Sequence, residues 1–250
     1  MVKKEVIFMR DLFLSIVIPC YNEGNKLKEN VGEVVKYVRG IIGKPFEVII
    51  VNDGSSDSTE EVSKELELTY KEVKYVGYKV NKGKGGAVKE GVKESTGEWV
   101  IFMDADLSTN LSAIRNSLRM RKDYDIIIGS RRCSDSNLIK KQGKLRQFIG
   151  KSCSKLTNMI IPLEIADTQC GFKTFKGDLI REFVKVQTIN GFSFDVELLY
   201  IAKLNQCKIK EFGVVWKDDE DSRVSILNSS ISFFIDLFKI RFHKNKYLIK

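Results

Sequence analysis

The chain has 250 residues, 43% of them hydrophobic and 30% charged, and a net charge of +9. This length accommodates one large α/β domain or two small ones with a substantial core. No stretch offers about 18 consecutive apolar residues, which excludes a membrane-spanning helix from the reading, and the opening Met1 to Asp11 carries too short an apolar run for a signal peptide.

Taken in chain order, Phe13 to Pro19 reads as a strand and Lys26 to Ile42 as a helix. Phe46–Val51 is the next strand, followed by a helix from about Ser58 to Leu68. Val73 to Val80 is a weaker strand, Gly85 to Ser95 a short helix, and Trp99 to Met103 a continuous apolar run. Such a run, bounded by polar residues, is expected as a strand buried on both faces of a parallel sheet. A helix over Leu111–Arg121 and a fifth strand, Tyr124 to Gly129, complete the alternation. Strands alternating with helices imply right-handed βαβ units and a mostly parallel sheet flanked by helices.

The second half is less regular. Gln142 to Ile161 is a long helical pattern closed by Pro162, and Asp167 to Phe175 reads as a loop entering a strand. Asp195 to Leu204 is amphipathic, and Lys208 to Trp216 alternates as a strand. With no linker, repeat or low-complexity segment, one domain is expected over 1–250. Its parts would be a nucleotide-binding half (12–130), an acceptor half (131–225) and a C-terminal amphipathic helix with a basic tail (226–250).

Chemistry-bearing residues gather at strand ends. The first strand runs into Pro19-Cys-Tyr-Asn-Glu23, the second into Asn52-Asp-Gly-Ser-Ser-Asp57, and the fourth into Asp104-Ala-Asp106. Open α/β sheets bind ligands at the carboxyl ends of their strands. The oxygens of Asp104 and Asp106 suit Mg²⁺ or Mn²⁺, ions usually shared with substrate phosphates. Asp53-Gly54 is also good turn chemistry, and Ser55, Asp57 or Ser58 can cap the helix that follows. Asn81-Lys-Gly-Lys-Gly-Gly86 opens a helix with a glycine-rich backbone, a ready anion site. It lacks P-loop spacing, and no Gly-x-Gly-x-x-Gly follows the first strand.

As a set, Ser15 to Glu23, Val51 to Asp57, Asn81 to Gly85, Met103 to Asp106 and Gly129-Ser-Arg131 resemble inverting family 2 glycosyltransferases of the GT-A fold. That fold is a Rossmann-like, mostly parallel sheet with a smaller acceptor-side region. Asp167-Thr-Gln-Cys-Gly-Phe-Lys173, Phe194 to Leu199, Trp216 and Ser222-Arg-Val-Ser225 look like the dolichyl-phosphate glucosyltransferase and mannose synthase branch, the glucosyltransferase being the nearer. The resemblance covers about Leu14 to Phe242. It implies a nucleotide pocket lined by Pro19, Tyr21, Glu23 and Asp53, with Lys84 near the base or ribose. Asp104 would face the nucleotide sugar and Asp106 would hold the metal against the diphosphate. Mannose synthases place a glutamine two residues past the second aspartate, where this chain has Ser108. Gln169 and Trp216 are expected at the sugar or lipid pocket, with a core role for Trp216 equally open.

The acceptor chemistry follows from what a nucleophile needs. A phosphate monoester, with its second pKa of about 6, arrives ionised and requires cations to position it. Arg131, Arg146, Lys151 and Arg223 are the candidates, because Arg clamps phosphate through a planar fork. A saccharide hydroxyl would need a base, for which Asp195 is the candidate; the plainer readings make Asp195 a helix cap and Glu197 a solvated charge. The expected reaction is glucose transfer from UDP-glucose to a polyisoprenyl (dolichyl or undecaprenyl) phosphate. GDP-mannose, a saccharide acceptor and a non-catalytic nucleotide-sugar-binding protein are the alternatives.

Five scattered cysteines, Cys20, Cys133, Cys153, Cys170 and Cys207, are expected as free thiols of a reducing cytoplasm. The basic surplus concentrates at Lys82–Lys89, Arg131–Lys151 and the tail from Lys239, without a nucleic-acid motif. Phosphate ligands and peripheral contact with an anionic membrane surface are favoured over a duplex; oligomeric state is open. Ile231 to Phe242 is apolar on most of its circumference, with Ser232, Asp236, Lys239 and His243 as a polar stripe. It reads equally as an interfacial helix and as a helix docked on the sheet or on a partner, with His243 as a solvated tail residue.

Overall fold

The computed structural model describes residues 12–140, 156–217 and 226–249. Nine strands are described: β1 (Leu14–Cys20), β2 (Phe46–Asp53), β3 (Val73–Tyr78), β4 (Trp99–Met103), β5 (Ile126–Ser130), β6 (Asn137–Lys140), β7 (Phe172–Lys176), β8 (Ile209–Gly213) and β9 (Val215–Lys217). The accompanying helices are α1 (Gly24–Ile41), α2 (Thr59–Thr69), α3 (Lys84–Glu94), α4 (Ser112–Met120), α5 (Gly177–Val186), α6 (Phe194–Leu204) and α7 (Ile226–Phe242), with a final 3₁₀ turn at Lys244–Tyr247.

Seven strands form one sheet in the order β3-β2-β1-β4-β7-β5-β8, while β6 and β9 pair separately. The first four strands are parallel. β7 runs antiparallel between β4 and β5, and β8 lies parallel to β5. The sheet is therefore mixed but mostly parallel, and it takes strands from both expected halves of the chain.

Period-2 alternation divides the strand residues between two cores. Val17, Ile49, Val51, Val100 and Phe102 pack against α3, α5, α6 and α7. Ile16, Ile18, Val48, Ile50, Trp99, Ile101 and Met103 pack against α1 and α4 on the other face, with Leu66 of α2. Residues buried in both directions explain why β1, β2 and β4 read as continuous apolar runs. α1 presents Leu27, Val31, Val34, Val35 and Val38 at helical spacing, and the chain leaves it through Pro45, whose carbonyl accepts from Phe13 N at 2.9 Å.

Three differences from the sequence reading stand out. Residues 177–186, given no element there, form α5, which buries Ile180, Phe183 and Val184. The single strand expected over 208–216 is two, because the chain passes from the main sheet to the β6–β9 pair at Val214. Within the expected helix 142–161, residues 156–160 are helical; residues 141–155, with Arg146, Lys151 and Cys153, lie outside the described residues, as does Arg223.

Candidate active site at the carboxyl edge of the sheet

Because β2, β1 and β4 are adjacent and parallel, Asp53, the Cys20–Glu23 segment and Asp104 emerge on one edge. The first two polar motifs are joined to each other. Asn22 N donates to Ser55 Oγ at 2.9 Å and Ser56 N to Asn22 Oδ1 at 2.8 Å. Glu23 N donates to Thr59 Oγ1 at 2.8 Å and Gly24 N to Asp57 Oδ2 at 3.1 Å. Asp57 also accepts from Thr59 N, which makes it the residue that caps α2. Burial would raise its pKa, yet the bonds from Thr59 and Gly24 hold it below the ordinary value. Pro19 and Glu23 are half-buried on this edge, and Tyr21 is exposed.

Asp53 is buried and its carboxylate is engaged within the protein. Tyr78 OH and Lys82 N donate to Oδ1 at 2.7 Å each, and Gly83 N donates to Oδ2 at 2.9 Å. Asp53 therefore shapes the lysine-glycine turn. Gly54 (φ +68°) sits under the same turn, where an added Cβ would lie 2.7 Å from Asn81 N. Gly83 (φ +89°) packs against the carbonyl of Asn190, a backbone approach that only glycine permits.

Lys84, at the start of α3, reaches past this turn to Asp104, with Nζ 2.6 Å from Oδ1. It thus lies at the aspartate pair. Burial opposes its charge, but Asp104 and Asp195 keep the ammonium protonated well above its usual range. Asp104 is cradled from the other side by Gly171: a Cβ built there would fall 1.8 Å from Asp104 Oδ2. Asp106 is turned toward the same site by Leu107, which occupies the left-handed region at φ +53°. That conformation costs on the order of 1 kcal/mol for a residue with a Cβ, and it lets Ser108 N donate to Asp106 Oδ1 at 2.9 Å. Burial, then the charge of Asp104, raises the Asp106 pKa. Asn30 of α1 fixes the backbone between the pair, donating to Ala105 O at 2.7 Å.

The second half of the chain adds two ion pairs with buried carboxylates. Arg131, just past β5, bonds Asp167 through Nε at 2.7 Å and Nη2 at 2.8 Å, with its backbone N also donating at 2.9 Å. Its guanidinium lies over the Trp216 ring at 5.6 Å. Burial alone would raise the Asp167 pKa, but Arg131 brings it down to about 2. Trp216 is buried in the core and forms a bridge with Thr109. Lys217 N donates to Ser108 O and Asn110 N to Val215 O, both at 2.9 Å. Trp216 and β9 thereby brace the loop after Asp106. Gln169 is exposed in the turn leading to Gly171.

Asp195 is neither a helix cap nor an unpaired carboxylate. It is buried in the first turn of α6 and ion-paired with the fully buried Lys173 of β7. Lys173 also donates to Cys170 O at 2.6 Å and lies 5.3 Å from the Phe102 ring centroid. Burial raises the Asp195 pKa, while Lys173 and Lys84 oppose the rise. Glu197, two residues on, faces the opposite way, as helix geometry requires. It is fully buried, not solvated, and accepts from Thr188 N at 2.8 Å, Thr188 Oγ1 at 2.7 Å, Ile189 N at 2.9 Å and Tyr247 OH at 2.6 Å. His243 is half-buried against Tyr247, so it is not a solvated tail residue.

The donor set fits a hard divalent cation. Two carboxylates sit at the site, where burial and then the charge of Asp104 raise the Asp106 pKa. No group of three metal-ligating side chains occurs among the described residues.

A mixed, mostly parallel sheet carrying this aspartate pair at the end of β4 defines a GT-A-type glycosyltransferase. The sequence profile of Glycosyl transferase family 2 matches residues 15–183, and the chain belongs to that family. It is 32% identical to a dolichyl-phosphate beta-glucosyltransferase of Dictyostelium discoideum, over 96% of this chain and 76% of the relative. The Homo sapiens protein of the same name is 30% identical, over 91% and 74%. Among solved structures, the fold is shared with glucosyl-3-phosphoglycerate synthase from Mycobacterium tuberculosis in complex with Mn²⁺, UDP and glucosyl-3-phosphoglycerate. That match has a TM-score of 0.66 and 14% identity over 93% of this chain and 80% of the other. Mannosyl-3-phosphoglycerate synthase from Rubrobacter xylanophilus matches with a TM-score of 0.67 and 15% identity, over 96% and 76%.

Lys173 and Gly171 belong to the 167–173 motif, which by itself assigns neither a role. A lysine at the entry to a strand carries no periodic signal of burial. Only the insertion of β7 beside β4 reveals what it pairs with.

Proposed function

We propose that the protein transfers glucose from UDP-glucose to a polyisoprenyl phosphate, with inversion at the sugar carbon. The observation that carries this reading is the pairing of the buried carboxylates on the acceptor side. Asp167 is held by Arg131 and Asp195 by Lys173, so neither stands as an unpaired base for a sugar hydroxyl. A phosphate acceptor needs no base, since it is already ionised near neutral pH. Arg131 contributes Nε and Nη2 to Asp167, which leaves the Nη1 edge of its fork for a phosphate oxygen. The names of the relatives support the sugar and the lipid.

Asp104 and Asp106 would hold Mg²⁺ or Mn²⁺. Such an ion neutralises the charge that grows on a leaving diphosphate. Lys84, poised on Asp104, would turn to the same diphosphate and keep its charge there. Pro19, Tyr21 and Glu23 line the edge where the nucleotide would lie, and Asp53 holds the turn that presents Lys84. A phosphate oxygen of the acceptor attacks the sugar carbon in line, the bond to the diphosphate oxygen breaks, and the electron pair leaves on the diphosphate. The acceptor sits in a bilayer, and the chain would work as a peripheral protein on its cytoplasmic face. No described helix is long and apolar enough to cross a membrane.

A radiolabel transfer screen tests this reading. UDP-glucose, GDP-mannose and other nucleotide sugars are offered with a polyprenyl phosphate, with Mn²⁺ or with EDTA. Label is expected in the lipid fraction from UDP-glucose and only with the ion. No transfer to lipid from any donor would overturn the proposal.

A further inference from the structure

The outward side of α7 is apolar where a docked surface helix is normally polar. Phe233, Leu237 and Ile240 dock this helix into the core, with exposures of 7%, 0% and 0%. Ile235, Phe238 and Phe242 lie three and four residues apart and therefore share one face; they are 51%, 52% and 82% exposed. At roughly 100° per residue this second stripe stands about opposite the docked one. Leu248, just beyond, is 53% exposed. The sequence offered an interfacial helix or a docked helix as alternatives, and α7 has the features of both.

We infer that the Ile235/Phe238/Phe242 stripe is a docking surface for an anionic lipid bilayer. Charge selects this occupant. Lys239, Arg241, Lys244 and Lys246 are all exposed around the stripe, and Asp236, paired with Lys239 at 3.4 Å, is the one carboxylate between residues 232 and 249. Apolar side chains flanked by cations are what an interfacial helix presents to acyl chains and anionic headgroups. A second copy docking on the same stripe would bring two such cationic groups together.

The surface is also tied to the site. Tyr247 OH donates to Glu197 at 2.6 Å, and Asn205 Nδ2 donates to Tyr247 O at 2.8 Å. Glu197 in turn holds Thr188 and Ile189, and Asn190 O accepts from Gly86 N at 3.1 Å beside Lys84. The stripe is therefore held in fixed relation to the lysine-glycine turn, so a bilayer docked there lies at a set distance from the aspartate pair. The inference deepens the lipid-phosphate reading, and it is tested without that lipid.

The full chain is sedimented with vesicles of phosphatidylcholine, with and without phosphatidylglycerol and free of polyprenyl phosphate. Salt-sensitive binding to the anionic vesicles is expected. The Phe238→Ser/Phe242→Ser variant should bind at least about tenfold more weakly, given the transfer free energy of two phenyl rings. The Lys244→Glu/Lys246→Glu variant should lose the preference for anionic lipid. Turnover of the phenylalanine variant on a short, water-soluble prenyl phosphate should match that of the parent chain. The inference is overturned if the parent chain stays in the supernatant, or if the phenylalanine variant binds as well as the parent. A dimer in light scattering that the same variant abolishes would overturn it in favour of a second copy. Vesicle binding without any sugar transfer would leave the docking surface standing and remove the transfer reading instead.

Discussion

Replacing Asp195 with alanine leaves the Lys173 ammonium buried without its counter-ion. Both side chains are 4% exposed or less, so water cannot take the place of the lost partner. Breaking a buried pair from one side costs about 3–5 kcal/mol. Lys173 keeps Cys170 O at 2.6 Å and the Phe102 ring at 5.3 Å, which places Asp195→Ala near the lower end, about 3 kcal/mol. Lys173→Met leaves Asp195 with the repulsion of Asp104 and only Lys84 nearby, so about 3–5 kcal/mol is expected. For a chain of this length those losses lower Tm by about 6–20 °C. The Lys173→Met/Asp195→Leu double variant removes both charges and should be more stable than either single variant. Urea denaturation of the four proteins measures the cycle, and lipid transfer is assayed on each variant that folds. If Asp195 is an ion-pair partner and not a base, the double variant keeps turnover within about tenfold of the parent. A restored fold with turnover down by about 10²–10⁴, the usual worth of a general base, would refute that reasoning. So would an Asp195→Ala loss below about 1 kcal/mol, which belongs to exposed pairs.

Gly171→Ala drives a Cβ to 1.8 Å from Asp104 Oδ2, so Asp104 must move; transfer should fall by at least about tenfold, with Mn²⁺ dependence shifted to higher concentration in a titration of activity. The acid limb of stability should report Asp167. Its folded pKa lies below its unfolded one, so its contribution is complete above about pH 4 and disappears as pH falls toward about 2. That contribution is about 2 kcal/mol, and Arg131→Ala should abolish this part of the pH dependence in denaturation curves. Tyr247→Phe removes one of four donors to Glu197, a loss of about 1–2 kcal/mol, seen as faster hydrogen exchange at Thr188 and Ile189.

The alternating half was legible because its signals are local. β1, β2 and β4 are buried on both faces, so each announces itself as an apolar run, and each ends in polar residues that cannot remain in the sheet. The aspartate pair, the Asp53 turn and the glycine-rich start of α3 could be placed on one edge from the parallel order alone. What could not be read was the pairing between distant segments. Lys173 sits in a strand inserted from 70 residues away, and Glu197 looked like a first-turn surface charge until Tyr247 closed over it. Asp57 was legible as a helix cap, but the bonds that Tyr78 OH, Lys82 N and Gly83 N make to Asp53 depend on turns meeting in space. The outward stripe of α7 was hidden for a similar reason, since an apolar circumference does not say which side docks.

The place of β7 sets an order on how this site can come into being. β1 to β4 follow one another in sequence and pair with neighbours already made, so a growing chain can lay down that block as it emerges. The free edge of β4, Trp99 to Met103, then waits for Phe172–Lys176. Until that strand arrives Asp104 has no Gly171 beside it, and an apolar strand edge stands open to other chains. The second half of the molecule therefore completes the surroundings of the aspartate pair. A fragment stopped before residue 172 would hold every nucleotide motif and still lack a finished aspartate pair.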